Sequence, residues 1–541
     1  MSKMNANVYV IEDYENEPPS GPKKQTQFKP NFFKCQNELK IACRKIRPHP
    51  SRVSGRKLLI CCFCCGIMSH LMKVRTKILL VAAVFSICLG SFAKADLAKR
   101  VDGIISRSLQ QKVRFSIHIV KADSGGTVYN HDAGELMIPA SNMKIITTAA
   151  ALKYLGPDYK YKTKVGLCDD TLVVVGSGDP LLGDERTDAK YGRDKGWLFK
   201  DIAAALKRKG ITTIKDIVVD SSVFDDQRVH PSWPRKELNK WYACEVSGLN
   251  FNDNCIAIST KNNGGKVEVF IEPQTAFIKF DNQVKPISKG SSAVGTYRNK
   301  EANKIVIYGR CKDRVGPFDV AIERPAAFFG FLLYENLTKS GIKTNGQLIE
   351  KTLDDPSDFK LLTQYVTPLA DCLARSNKNS LGLAAEALLK TIAANNNPDG
   401  KNGSWDRGRE LISEFLPGLG IDESQFYIDD ASGLSRQNEL SAYAITKVLL
   451  SIYNSRNWEL YKDSLAVGGV DGTIVRYFKE QKYKGKISGK TGSINKVKTF
   501  SGICITEQGV FIFSILANNT NGQTRGVIND IAKAIIDDAD M

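Results

Sequence analysis

Ser141-Asn142-Met143-Lys144 opens an apolar, alanine-rich run, Ile145 to Leu152. On a helix, residues three apart share a face, which sets the Lys144 amine beside the Ser141 hydroxyl. A serine becomes a nucleophile when a neighbouring base takes its proton, and a lysine of lowered pKa can be that base. Pro139 and Ser141 also suit a helix N-terminus, where free backbone N–H groups favour developing negative charge. Far along the chain, Lys490-Thr491-Gly492-Ser493 offers a fixed cation, a hydroxyl and room for a substrate backbone. Between the two, the stretch from Ser376 to Lys390 starts a helix with serines that can shuttle a proton. Each signal is weak alone, because Ser-x-x-Lys is more often a capping serine and an exposed lysine.

The elements that must position these residues read as an α+β arrangement. A first helix is expected over Leu97–Leu109. Alternation predicts a strand over Val113–Val120, and Ser124-Gly125-Gly126 turns the chain into another around Thr127–Tyr129. From Tyr161 to Pro325, short β-branched runs alternate with Gly, Asn and Asp turns, which predicts β-rich inserts with a helix near Leu198–Lys209. Helical texture returns at Ala326–Ser340 and Pro368–Ala394. Two strands, Thr499–Ile503 and Val510–Leu516, and a helix over Arg525–Asp537 follow. The expected layout is a catalytic part over 96–160, a β-rich insert over 161–325, and the second catalytic part over 326–541.

Composition agrees with a globular protein of two to four domains: 541 residues, 42% hydrophobic and 25% charged. The net charge of +18 is uneven, since the first 95 residues hold 16 Lys and Arg against 5 Asp and Glu. The remainder is mildly basic, which suits an anionic envelope polymer, and no nucleic-acid-binding motif stands out. Lys73 to Ala95 has a basic start, a short apolar core and an Ala-Lys-Ala ending, the pattern of a secretory signal peptide cut after Ala95. An uncleaved anchor is the competing reading. Met68 and Met72 stand just before it, so 68–95 is read as the signal and 1–67 as an over-extended reading frame. The alternative is a cytoplasmic extension palmitoylated at its cysteine cluster, Cys61 to Cys65. Of the later cysteines, Cys244 and Cys255 form the locally expected pair, and no metal-ligand cluster appears. A Ser-His-Asp hydrolase is disfavoured: of His118, His131 and His230, none lies in a nucleophile-elbow motif.

Ser-x-x-Lys, a middle serine motif and Lys-Thr-Gly, in that order, resemble the penicillin-binding proteins and serine β-lactamases. Gly176-Ser177-Gly178-Asp179-Pro180, Ser247-Gly248-Leu249-Asn250, Asp430-Ala431-Ser432-Gly433-Leu434-Ser435-Arg436 and Gly469-Val470-Asp471-Gly472-Thr473 narrow the resemblance. It is to the D-Ala-D-Ala carboxypeptidase/endopeptidase family, the class C low-molecular-mass penicillin-binding proteins (peptidase family S13), over roughly 97–541. The resemblance implies a penicillin-binding-protein-like domain with helices around an antiparallel sheet, interrupted by β-rich inserts. It implies an exported DD-peptidase of the periplasm or cell envelope that cuts peptidoglycan stem peptides, needs no cofactor and is acylated by β-lactams; it leaves room for peripheral membrane association.

By position, the resemblance makes Ser141 the acylated nucleophile and Lys144 its base. Lys490 and Thr491 would bind the terminal carboxylate, with Gly492 beside them, and the N–H groups of Ser141 and Ser493 would form the oxyanion hole. The middle motif departs from the family's Ser-x-Asn. Counting back from Ala385-Glu386 puts Ser380-Leu381-Gly382 in that slot, so Gly382 replaces the asparagine, and Asn377 or Asn379 is the candidate substitute. A weakly active or non-catalytic peptidoglycan-binding protein, and a β-lactamase or esterase, are the alternatives within this fold. Glu386 is expected only to fix its own helix, and Asp430–Gly433 reads equally as a turn or a binding edge.

Overall fold

The computed structural model describes residues 97–353 and 356–540. The signal-peptide and start-site readings of 1–95 lie outside the described residues.

A six-stranded antiparallel sheet organises the site, in the order Ala466–Val467, Ile487–Ile494, Val497–Thr506, Gly509–Asn518, Arg114–Lys121, Thr127–His131. Residues from both ends of the sequence therefore meet in one sheet. Its central strands are buried on both faces because successive side chains point opposite ways. From Gly509–Asn518, Phe511, Phe513 and Ile515 face the helix Thr524–Ala539 and the helical residues 97–105, among Val101, Ile528 and Ile531. Ile512 and Leu516 face the opposite layer, the helices Met143–Leu155 and Ala442–Tyr453, among Ile145, Ile146 and Val448. Each such side chain contributes about 1.5–3 kcal/mol by leaving water. The first helix ends at residue 105 and is followed by a 3-10 turn, Ser108–Gln110, rather than running to Leu109.

The long insert is more helical than its texture suggests. A five-stranded sheet runs Leu348–Glu350, Ile217–Asp220, Thr171–Val175, Lys160–Cys168, Lys360–Pro368. The helices Trp197–Arg208 and Pro325–Lys339 pack on it through Leu198, Ile202, Phe328 and Phe329. Two further three-stranded sheets lie within 255–321. Past residue 326, where the second catalytic part is expected to begin, Lys360–Pro368 pairs with Lys160–Cys168, and the helices that carry the middle segment of the site begin at Leu369. The helix expected over Pro368–Ala394 is two, Leu369–Lys378 and Gly382–Asn395. Ser380 breaks it with φ +61°, in the left-handed region. Cys244 and Cys255 are both free thiols, buried in the protein, so the expected pair is not bridged.

Candidate active site

Ser141 sits in a 3-10 turn, Ala140–Asn142, that leads directly into the helix Met143–Leu155. Three contacts press this turn against the sheet. Thr499 Oγ1 donates to the Pro139 carbonyl at 2.9 Å. The Asn142 amide lies between two strands, donating to the Lys490 carbonyl at 2.8 Å when its oxygen faces Ser501. Gly492 lies so close that a Cβ there would stand 2.1 Å from Thr499 Oγ1 and 3.0 Å from the Ser141 nitrogen. Only a glycine lets the turn and strand touch.

Lys144 is buried, with Nζ 3.3 Å from Ser141 Oγ and donating to the Ser432 carbonyl at 2.6 Å. Burial pushes its pKa down to about 8, against the upward pull of the Glu386 and Asp430 carboxylates. A neutral amine so placed can take the Ser141 proton. The loop that supplies the Ser432 carbonyl is built around Asp430. The Asp430 carboxylate accepts from Gly433 N (2.7 Å), Ser435 N (2.6 Å), Asn438 Nδ2 (2.7 Å) and Trp233 Nε1 (2.9 Å). The Asp430–Gly433 stretch is therefore both a turn and a wall of the site.

Lys490 is fully buried on the strand Ile487–Ile494 and donates to Ser380 Oγ at 2.8 Å and to the Thr491 carbonyl at 2.6 Å. Its pKa lies well below the usual lysine value, first through burial and then through repulsion from Lys144 and Arg525. Arg525 donates to the carbonyls of Gly492 (2.8 Å) and Thr499 (3.2 Å). Thr491 Oγ1 bonds Thr473 Oγ1 at 2.9 Å, and Lys378 pairs with Asp471 in the same tip. Among the described residues, neither Lys490 nor Arg525 is hydrogen-bonded to a carboxylate. A carboxylate placed beside them would favour the charged form of Lys490 and meet the Arg525 guanidinium, so the pair suits an anionic ligand.

A cavity of about 750 Å³ opens over these groups, lined by Ser141, Lys144, Ser380, Gly382, Thr491 and Ser493 among others. The structure thus brings the sequence-derived residues around one cavity, with Lys490 behind Ser380 and Gly492 beneath Ser141. Asn377 is not among them: it is buried against Thr148 and Ser464, whereas Asn379 lines the cavity. Ser376 is likewise buried, whereas Ser380 is half-buried and lines the cavity. His118 lies between Thr446 and Thr127, lowered to about 4 by burial and Lys447, and His230 packs against Trp233 and Trp405. Sequence reasoning missed the carbonyl role of Ser432, whose segment reads only as a turn or a binding edge, and it missed Arg525 and the Trp241-Tyr242 wall, which lie in none of the motifs.

The family model described as D-Ala-D-Ala carboxypeptidase 3 (S13) matches residues 97–537. The chain belongs to this S13 family. It is 27% identical over 464 residues to a D-alanyl-D-alanine carboxypeptidase of Actinomadura sp. (strain R39), covering 80% of this chain and 83% of that one. It is 24% identical over 406 residues to the D-alanyl-D-alanine carboxypeptidase DacB of Haemophilus influenzae, covering 71% and 80%. The fold is similar to the crystal structure of Haemophilus influenzae penicillin-binding protein 4, with a TM-score of 0.68 at 22% identity, covering 80% of this chain and 98% of that one.

Gly382 packs closely against the insert. A Cβ at Gly382 would stand 3.0 Å from the Tyr242 carbonyl and 3.9 Å from Ser432 Cβ. The insert's 3-10 turn Trp241–Ala243 therefore crowds the first atom of a side chain there, although Gly382 also lines the cavity. Gly382→Asn is therefore expected to overpack this corner and cost about 1–3 kcal/mol of stability without raising the acylation rate. Chemical denaturation alongside penicillin acylation measures both.

Proposed function

We propose that this chain is an exported serine DD-peptidase, a carboxypeptidase and/or endopeptidase, that cuts peptidoglycan stem peptides through an acyl-serine intermediate. The observation that carries it is the Ser141–Lys144 pair, 3.3 Å apart with the lysine brought down to about 8. Ser141 Oγ loses its proton to Lys144 and bonds the D-Ala carbonyl carbon. The tetrahedral oxyanion is stabilised by the N–H groups of Ser141 and Ser493. The C–N bond then breaks and the leaving amine takes a proton through the Lys144, Ser380 and Lys490 side chains. Water hydrolyses the ester, freeing the shortened peptide and Ser141.

The leaving residue carries a carboxylate next to its amine, and the buried Lys490 amine, the half-buried Arg525 guanidinium and Thr491 favour that charge. Amidation of the terminal carboxylate is expected to lower kcat/KM by ~10–100-fold, as measured by comparing a D-Ala-D-Ala peptide with its C-terminal amide. Equal rates would remove the carboxylate site from the account. β-Lactams present a similar carboxylate and a strained amide, and a Haemophilus influenzae penicillin-binding protein 4 has been solved complexed with a β-lactam.

Release of D-Ala from a stem pentapeptide by the purified protein, lost in Ser141→Ala, tests the activity. Absence of release with retained peptidoglycan binding would favour the weakly active or non-catalytic binding protein, the reading that Gly382 keeps open. For export, N-terminal sequencing of the native protein is expected to begin at Asp96. An N-terminus at Met1 would refute cleavage.

A further inference from the structure

Glu386 lies on the helix Gly382–Asn395, shut away from solvent, and its carboxylate accepts from three donors outside that helix. Oε1 takes the Ser432 amide at 2.8 Å; Oε2 takes the Ala431 amide at 3.2 Å and Trp405 Nε1 at 2.8 Å. The Ser432 carbonyl in turn accepts from Lys144 Nζ at 2.6 Å. Resting on the serine-peptidase reading above, we propose that Glu386 is a positioning residue. By accepting the Ala431 and Ser432 amides, its carboxylate fixes the carbonyl that holds Lys144 Nζ beside Ser141.

The chemistry requires a carboxylate. Three N–H groups converge on two oxygens, and a carboxamide would turn its own N–H₂ toward a donor. The role also falls to this residue for a local reason. Gly382 has no side chain to orient the lysine, and the Tyr242 carbonyl crowds the position a Cβ would take. The Ser432 carbonyl is the second partner of Nζ after Ser141 Oγ, and a neutral amine can donate one N–H to it while its lone pair faces the serine hydroxyl.

The charged groups around Glu386 set the sign of its electrostatic effect. Asp430 faces it from the loop, Lys144 from the nucleophile helix, and Lys390 from one turn along its own helix. Lys390 is paired with Asp225, while His230, Asp429 and Arg409 lie beyond Asp430. Burial and Asp430 push Glu386 up to about 7, and as the carboxylate it holds the Lys144 proton more tightly. Removing the charge therefore moves the Lys144 titration to lower pH, while loosening the carbonyl slows the reaction at every pH.

The test is acylation of the full chain by a fluorescent penicillin across about pH 6–10, with Glu386→Gln and Glu386→Asp beside it. For Glu386→Gln the expected result is a plateau ~10-fold or more below the unaltered protein, with the rising limb displaced to lower pH by about half a unit or more. Glu386→Asp keeps the charge but not the reach, so its plateau falls and its limb stays. If Glu386→Gln does not fold, Glu386→Asp decides, and an unaltered plateau there overturns the proposal. A folded Glu386→Gln with an unmoved limb also overturns it, whatever its plateau, because a merely structural role gives that result. No acylation of the unaltered protein would overturn the serine-peptidase reading and this inference together.

Discussion

Lys144→Met is expected to lower acylation of Ser141 by ~10²–10⁴-fold, the usual contribution of a positioned general base. The substitution keeps the stem that fills the core and removes the amine 3.3 Å from Ser141 Oγ. Because burial brings Lys144 down to about 8, the active neutral amine grows as pH rises. In the unaltered protein, acylation should therefore climb between about pH 6 and 9, and in Lys144→Met that limb should vanish. Stability should move the other way. Burying a lysine is costly, so the methionine variant is expected to melt at the same temperature or higher. Stopped-flow acylation and a thermal melt check the two halves. A variant that acylates at the original rate would mean that the base lies elsewhere.

Gly433→Ala is the second large effect. Gly433 has φ +78°, and a Cβ there would stand 1.8 Å from the Ala140 carbonyl oxygen and 3.0 Å from the Ser141 nitrogen. Backbone meets backbone, so no side chain can swing aside. Either the 430–435 loop withdraws, taking the Ser432 carbonyl from Lys144, or the Ser141 turn moves. A displacement of about 1 Å at reacting groups costs ~10²-fold, which is the expected loss of acylation. The strain adds about 1–3 kcal/mol of destabilisation, measurable by chemical denaturation. Gly420→Ala is the control, having φ +73° and nothing within 4 Å. It carries the conformational cost alone and should acylate normally.

The site was legible where chemistry and chain proximity coincide. Ser141 and Lys144 are three residues apart on one helix, and Lys490 to Ser493 is contiguous on one strand, so their types and spacing announced them. Ser380 was reached by counting from Ala385-Glu386, and its left-handed φ explains why the long helix expected there is two. The rest acts through backbone atoms or across long separations. Ser432 contributes a carbonyl, which has no signature in the side-chain sequence. Glu386 was expected to fix its own helix, yet its partners are 45 and 46 residues away. Arg525 reaches the carbonyl of Gly492, 33 residues back, from a segment that the sequence marked only as a helix.

The α+β arrangement was equally readable, since Val113–Val120 alternates and the turn at Glu507-Gln508-Gly509 separates the two last strands. The packing partner of the helix that follows Arg324 was not. The run from Ala326 to Leu333 is apolar enough to be recognised as a buried helix, but periodicity cannot tell which sheet it covers. It covers the sheet that Lys360–Pro368 completes, and that strand became assignable only through its partner nearly 200 residues earlier.

The most direct test of the central claim is mass spectrometry of the purified protein after incubation with a penicillin, beside Ser141→Ala. The account predicts a penicilloyl adduct on the peptide that contains Ser141, absent from the variant. Folded protein that stays unmodified, or an adduct that persists in Ser141→Ala, would contradict it.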